Sequence, residues 1–135
     1  MRDILFRGKR VDNGEWVYGS LVHRTKYYGD ITDKWFVLHG GEFDYDYYDA
    51  EEVLSETIGQ YSGLNGANDV KIYEGDIIKT TDYFGKQRLF IVCFDNGMFL
   101  ADTSALRSWL NPISALEVVG NIHDNPDMLT NEGEG

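Results

Sequence analysis

The sequence predicts an all-β protein, and three observations support this. The chain has 135 residues, enough for one ordinary domain or two small lobes. Aromatic residues make up 14% of the chain, and their side chains favour strands over helical bundles. Short apolar runs alternate with turn residues along most of the sequence, which is typical of strands joined by tight turns.

An N-terminal β region is predicted over residues 1–64, and it opens on a hairpin. Residues 4–11 and 15–22 form its two strands, with Asn13-Gly14 between them. Asn-Gly is the strongest short-range hairpin signal, because both central residues of a type I′ turn need a positive φ. We therefore expect a tight turn here with positive φ at the glycine.

A third strand is predicted at residues 34–38, after a loop at residues 27–30, and an acidic and aromatic segment follows it. Residues 41–69 contain eight acidic residues and no basic residue, which accounts for most of the net charge of -11. The part from about residue 40 to 56 predicts an exposed loop, since like charges repel. Its tyrosines offer amphipathic contact area and its carboxylates can pair with the Arg or Lys of a basic partner. The candidate interaction surface is Asp44, Tyr45, Asp46, Tyr47, Tyr48 and Asp49. The alternative is a solvated surface without a partner.

Residues 65–124 carry a denser β pattern. A long apolar strand at residues 88–94 is followed by Asn96-Gly97, a second hairpin signal, and by a strand at residues 98–101. Five short strands joined by tight turns, with one helical turn before the last strand, predict a small SH3-like barrel.

One short helix is predicted within this barrel. Thr103–Leu110 is the best helical candidate, with Asp102 or Thr103 as N-cap, and Pro112 ends it. The last residues, 125–135, contain acidic but no basic residues, and we expect them to form a flexible acidic tail.

Reactive constellations are sparse in the sequence. Cys93 lies mid-strand between apolar neighbours, and a single cysteine excludes an intrachain disulfide. His23, His39 and His123 lack the close spacing of a histidine metal site. We expect no catalytic residue, no cofactor, no metal and no enzymatic activity.

Net charge and hydropathy limit which partners and which cellular compartment we expect. A net charge of -11 argues against direct binding to a phosphate backbone, which needs clustered cations. Arg2, Arg7, Lys9 and Arg10 could form a local basic patch, but alternate strand residues point to opposite faces. No apolar run approaches the roughly 20 residues that span a bilayer, and the N-terminal residues lack a signal-peptide core. We expect a cytoplasmic protein.

Three blocks of the sequence resemble the YopX-like proteins of bacteriophages and prophages of Gram-positive bacteria. The blocks are residues 2–8 with 14–19, residues 56–64 with 71–78, and residues 117–126. The resemblance implies an all-β protein of a bacterial host cell with an SH3-type barrel in its second half, and it transfers no catalytic residue. The structural signature within these blocks is Gly59, Gln60, Tyr73, Glu74, Gly75, Asp76, Gly120 and Asn121. The chain departs from the family pattern between residues 64 and 71 and at the predicted helix.

The favoured function is therefore a phage or prophage accessory protein that is a non-catalytic interaction or self-assembling module. The alternative is a nucleic-acid-linked regulator, acting by charge mimicry or through a DNA-binding partner. Strands around residues 35–37 and 89–92 carry large apolar side chains on both faces, which predicts a homo-oligomer. A phage or host protein with a basic surface is the second expected partner.

Overall fold

The structure is a computed structural model that describes residues 3–39, 50–81, 85–95, 97–102, 107–109 and 116–128. Within these ranges the chain is built of antiparallel strands and single turns of 3-10 helix at Ser55–Thr57 and Ala67–Asp69. The strands are β1 (Phe6–Lys9), β2 (Trp16–Tyr27), β3 (Asp30–Leu38), β4 (Ala50–Val53), β5 (Gly59–Asn65), β6 (Lys71–Tyr73), β7 (Asp76–Thr81), β8 (Gln87–Asp95), β9 (Met98–Asp102), β10 (Arg107–Trp109) and β11 (Glu117–Asn121). The prediction of an all-β protein is confirmed.

The first compact unit is Met1–Tyr61. Its strands follow the order β4-β3-β2-β1-β5. The sheet curls, because β4 returns to the end of β1 through an Arg10–Val53 bridge and a hydrogen bond from the Leu54 N–H to the Lys9 carbonyl at 2.9 Å. Val37 and Val53 are buried inside this curl.

A buried threonine fastens the connection after β4. The Thr57 hydroxyl donates to the Leu54 carbonyl at 2.6 Å and accepts the Lys9 N–H at 2.9 Å. One side chain thus satisfies two backbone groups of a segment that lies outside the regular ladder. Both partners flank the contact between β1 and β4, so the hydroxyl holds the curl of the sheet closed.

The second compact unit is Ser62–Gly135. The end of β5 extends into it with β6 alongside, and a five-stranded sheet has the order β10-β9-β8-β7-β11. The hydrophobic core of this unit consists of Ile72, Ile78, Phe90, Val92, Ala101 and Leu116. The pairings among the described residues leave β10 and β11 at the sheet edges, so they form an open sheet where a closed SH3-like barrel was expected.

Both predicted hairpin glycines have a positive φ, +73° at Gly14 and +77° at Gly97. The connection at Asn13-Gly14 joins β1 to β2 as an antiparallel hairpin, as expected, but it is longer than a two-residue type I′ turn. Lys9 pairs with Trp16, so six residues separate the strands. The Asn13 side-chain oxygen accepts the N–H of Glu15 at 2.9 Å, and this local bond stabilises a longer turn in which φ at Asn13 is not positive.

A two-residue turn with positive φ at both central residues joins β2 to β3 instead. Tyr28 has φ +50° and Gly29 has φ +89°, and the flanking Tyr27 pairs with Asp30. This is the φ pattern of a type I′ turn. A tyrosine takes a position that usually favours Asn or Gly, because the pairing of two long strands fixes the turn length.

The helix predicted at Thr103–Leu110 is wrong in its described part. Arg107–Trp109 forms β10, and Trp109 pairs with Leu100 of β9. An isolated helix of eight residues is marginal, whereas pairing with an existing sheet edge satisfies backbone hydrogen bonds. Residues 103–106 and 110 of the predicted helix lie outside the described residues. Residues 129–135 of the predicted acidic tail lie outside them as well.

Candidate functional site

The candidate interaction surface of Asp44, Tyr45, Asp46, Tyr47, Tyr48 and Asp49 lies outside the described residues. The acidic residues that follow it, in β4, are described. Glu51 lies 3.2 Å from the Arg10 guanidinium and 3.6 Å from the His39 ring nitrogen Nε2. Glu52 lies 3.9 Å from the Lys34 ammonium. These two carboxylates are therefore matched with cations of the same chain.

Arg10 is held by two carboxylates. Its Nε and Nη2 donate to the two carboxylate oxygens of Asp12 at 3.0 and 2.7 Å, and Glu51 lies on the same guanidinium. The hydrogen bond from Arg10 lowers the pKa of Asp12, and the hydrogen bond to Asp12 raises the pKa of Arg10. The guanidinium is thus neutralised locally and is a poor ligand for an external phosphate.

Two further cations of β1 lie against an aromatic ring. The Arg7 guanidinium lies 4.6 Å above the centre of the Trp16 ring, and the Lys9 ammonium lies 5.5 Å from it. Arg7 is only 5% exposed, so its charge lies inside the first unit. The described residues of the basic patch considered over the first strand therefore do not form one cationic surface. Arg7 and Lys9 lie by the Trp16 ring, and Arg10 is paired with carboxylates.

The central signature forms the turn between β6 and β7. Gly75 has φ +92°, a conformation that glycine adopts without strain. Its N–H donates to the Val92 carbonyl at 2.7 Å, and its carbonyl accepts the N–H of Ile122 at 2.9 Å. The buried Asp76 carboxylate accepts the N–H of Tyr73 at 2.8 Å. This turn links β8 to the residues after β11.

The closing signature caps the end of β11. The Asn121 side-chain oxygen accepts the N–H groups of His123 and Asp124 at 3.0 and 2.9 Å. The Asn125 side-chain oxygen accepts the Asn121 N–H at 3.2 Å. A Cβ on Gly120 would lie 2.5 Å from that same Asn125 oxygen, so glycine leaves room for the cap. Asn121 pairs with Asp76 across the sheet, which brings the central and closing signatures together.

The remaining signature residues lie in the first unit. Gly59 pairs with Arg7 and Gln60 pairs with Phe6, between β5 and β1. Gly59 is buried and Gln60 is half-buried. The signature residues are thus placed at strand junctions, where they direct the backbone.

The structure brings together a cluster that the sequence analysis did not single out. The His23 ring stacks on the Trp35 ring with centres 3.8 Å apart and planes within 4°, and its Nε2 lies 2.6 Å from an Asp33 carboxylate oxygen. His23 and Trp35 face each other across β2 and β3. Their separation of twelve residues gives no local signal, because it depends on the strand register.

Groups with reactive potential are dispersed. Cys93 is half-buried and pairs with Leu100 in the β8–β9 ladder. Within the described ranges, three or more His, Cys, Asp or Glu side chains do not gather as a metal site. No helix in that part of the chain is long and apolar enough to cross a membrane.

A family model described as YopX protein matches residues 5–130, nearly the whole chain. The chain belongs to the YopX family. This YopX-family chain is also similar to the crystal structure of protein EF1440 from Enterococcus faecalis, with a TM-score of 0.53 and 22% sequence identity over 96% of this chain and 99% of that one. Such a likeness shows the fold alone. No curated protein matches the chain.

Proposed function

We propose that this YopX-family chain is a phage or prophage accessory protein of the bacterial cytoplasm that acts by binding proteins, foremost copies of itself, and not by catalysis. The observation that carries the proposal is the exposure of large apolar side chains on strands and turns of both units. Tyr28 and Ile31 are about nine-tenths exposed in the first unit, and Phe94 is 51% exposed in the second. A contiguous exposed apolar patch in a folded domain commonly marks a contact surface, and Tyr28 and Ile31 lie three residues apart on the β2–β3 hairpin.

The placement of charge supports protein partners over nucleic acid. Arg10 is ion-paired to Asp12 and Glu51, and Arg7 is buried. Phosphate binding releases counterions only where cations are accessible, so these residues contribute little to it. Direct nucleic-acid binding therefore forms no part of the proposal.

A second partner class rests on the acidic segment. Residues 44–49 alternate carboxylates with tyrosines and contain no cation. Such a sequence suits a protein with a basic surface, since charge complementarity raises the association rate and the tyrosines supply contact area. A phage or host protein of this kind would bind the chain in addition to self-assembly.

Sedimentation equilibrium of the full chain tests the self-assembly. At about 10–100 µM, the range in which weak specific interfaces form, we expect a mass that is a multiple of 15.4 kDa. Raising the salt concentration should strengthen the assembly, because it screens repulsion between copies with a net charge of -11. A single 15.4 kDa species at every concentration and salt would contradict the proposal.

A further inference from the structure

Two asparagine–glycine pairs lie wholly within the described residues, and their surroundings differ. Asn13-Gly14 lies in the connection between β1 and β2, and Asn65-Gly66 lies where β5 ends. Both asparagines are exposed to solvent. An asparagine loses its side-chain amide most readily before glycine, because glycine has no side chain to hinder attack by its backbone nitrogen. The two pairs therefore share one intrinsic reactivity, and the fold decides between them.

The side chain of Asn13 is held by a hydrogen bond that favours this reaction. Its Oδ1 accepts the backbone N–H of Glu15 at 2.9 Å. When the Gly14 nitrogen attacks Cγ of Asn13, negative charge develops on Oδ1, and a donor that is already in place stabilises this charge. The amide carbonyl of Asn13 is thus polarised for attack.

The side chain of Asn65 is held by the other end of its amide. Its Nδ2 donates to a carboxylate oxygen of Asp69 at 2.7 Å. The nitrogen that would have to leave is therefore bound to a carboxylate. The negative charge of Asp69 also opposes the negative charge that attack would place on the amide. Both effects slow the reaction at Asn65.

The attacking backbone nitrogens also differ in how easily they are released. The Gly14 N–H donates to the Arg10 carbonyl at 3.0 Å, and among the described residues beyond its chain neighbours no atom lies within 4 Å of the position of a Cβ on Gly14. The Gly66 N–H donates to the Val70 carbonyl at 2.7 Å, and a Cβ on Gly66 would lie 2.5 Å from the Leu116 carbonyl oxygen. An exposed turn opens locally at a lower free energy than a backbone packed against another segment. The Gly14 nitrogen is therefore the more available of the two.

We propose that Asn13 is a site of spontaneous deamidation in the folded chain and that the fold protects Asn65. The Gly14 nitrogen gives its proton to solvent base and forms a bond to Cγ of Asn13. The bond from Cγ to Nδ2 breaks, and Nδ2 takes up a proton and leaves as ammonia. Water then opens the five-membered succinimide at either carbonyl and gives aspartate or isoaspartate, so water is the only co-reactant.

The reaction changes the charge and the length of the β1–β2 connection. Either product adds one negative charge next to Asp12, in a chain of net charge -11. Isoaspartate also carries the main chain through its Cβ, which lengthens the connection by one carbon and disturbs the hydrogen bond from Gly14 to Arg10. This inference goes beyond the proposed self-assembly and does not depend on it.

Peptide mapping by mass spectrometry tests the proposal on the full chain. The protein is kept in mildly alkaline buffer at about 37 °C, where asparagine is labile, and deamidation at Asn13 and at Asn65 is followed separately over time. We expect Asn13 to react about tenfold or more faster than Asn65 and to give both aspartate and isoaspartate. In urea that unfolds the chain, the two rates should become similar, because both sites are then unstructured Asn-Gly pairs.

Two variants at residue 15 test the donor to Asn13. Glu15→Pro removes the backbone N–H that Asn13 accepts, and it should slow the reaction at Asn13 severalfold. Glu15→Ala keeps this N–H and is the matched control, so its rate should equal that of the wild type. Circular dichroism of each variant checks that the strands are intact.

The comparison of folded with unfolded chain stands even if Glu15→Pro does not fold. Deamidation at Asn65 that is as fast as at Asn13 in the folded chain would overturn the proposal, since the fold would then select neither site. A folded Glu15→Pro variant that reacts at Asn13 as fast as Glu15→Ala does would show that the Glu15 N–H does not activate the amide.

Discussion

Asp76 is an ionisable side chain whose burial is explained by a backbone contact. It is 2% exposed, and its carboxylate accepts the N–H of the buried Tyr73 at 2.8 Å. A buried N–H left without an acceptor costs about 1–3 kcal/mol. The carboxylate therefore fixes the turn that follows β6, and this accounts for its place in the signature.

Two substitutions at Asp76 test whether its side-chain oxygen stabilises the fold by accepting the Tyr73 N–H. Asp76→Ala removes the acceptor and should lower the free energy of unfolding by about 1–3 kcal/mol in urea denaturation. Asp76→Asn keeps an oxygen and should lower it less. Asp127→Ala, at an exposed carboxylate, is the control. Equal losses for Asp76→Ala and the control would show that the Tyr73 contact adds no stability.

The ion pairs of Arg10 could not be predicted from its residue type alone. The sequence places it beside Arg7 and Lys9 in a run of cations, which by itself suggests a basic patch. Its carboxylate partners are Asp12, two residues away, and Glu51, which only the return of β4 brings within 3.2 Å. The charge of a residue is read from sequence, whereas its neutralisation depends on the fold.

At the scale of elements, the end of β11 and the turn after it form one capped unit. Asn121 and Asn125 exchange backbone and side-chain hydrogen bonds, and the Asn125 side chain occupies the space beside Gly120. A methyl group at residue 120 would meet the Asn125 oxygen at 2.5 Å and the Met128 terminal methyl at 3.1 Å. Glycine at residue 120 thus leaves the space that the Asn125 side chain needs to cap the end of β11.

Gly120→Ala should lower the free energy of unfolding by about 1–3 kcal/mol, because overpacking displaces the capping side chain. Asn125→Ala removes the side-chain oxygen that a Cβ at residue 120 would contact. The double variant Gly120→Ala/Asn125→Ala should therefore be more stable than the sum of the two single losses predicts, by about 1 kcal/mol in chemical denaturation. Additive losses would mean that the Asn125 side chain is not what excludes a Cβ at this position.

Strands could be predicted well at this scale because alternation and turn residues are local signals. Gly14 and Gly97 were located by such signals, and both have a positive φ. The helix at Thr103–Leu110 was predicted from a local pattern too, but the pairing of Arg107–Trp109 with β9 outweighs it. The loop at residues 27–30 was predicted, but its type I′ pattern at Tyr28-Gly29 was not, since its cause is the register of two long strands.

For the whole molecule, net charge is the dominant electrostatic property. The chain carries -11, and the cations at Arg10, Lys34 and Lys79 lie within 4 Å of carboxylates of the same chain. Few phosphates of a duplex could then be neutralised, and non-specific affinity depends on their number.

Titration with duplex DNA at about 150 mM salt should give a dissociation constant weaker than about 10 µM. The same titration at about 50 mM salt is the control, since any residual binding through cations should strengthen there. Sub-micromolar binding at the higher salt would contradict this expectation and favour a nucleic-acid-linked role.

The sequence by itself determined the all-β class, the positive φ of the hairpin glycines and the family signature, because alternation, turn chemistry and short motifs are all local. The tertiary structure decided the rest. It turned Arg107–Trp109 into a strand, neutralised Arg10 through Glu51, and stacked His23 on Trp35. It also left the part of β3 before Trp35 beyond the pairing with β4. Each of these depends on strand register, and register is fixed by contacts between residues that are distant along the chain.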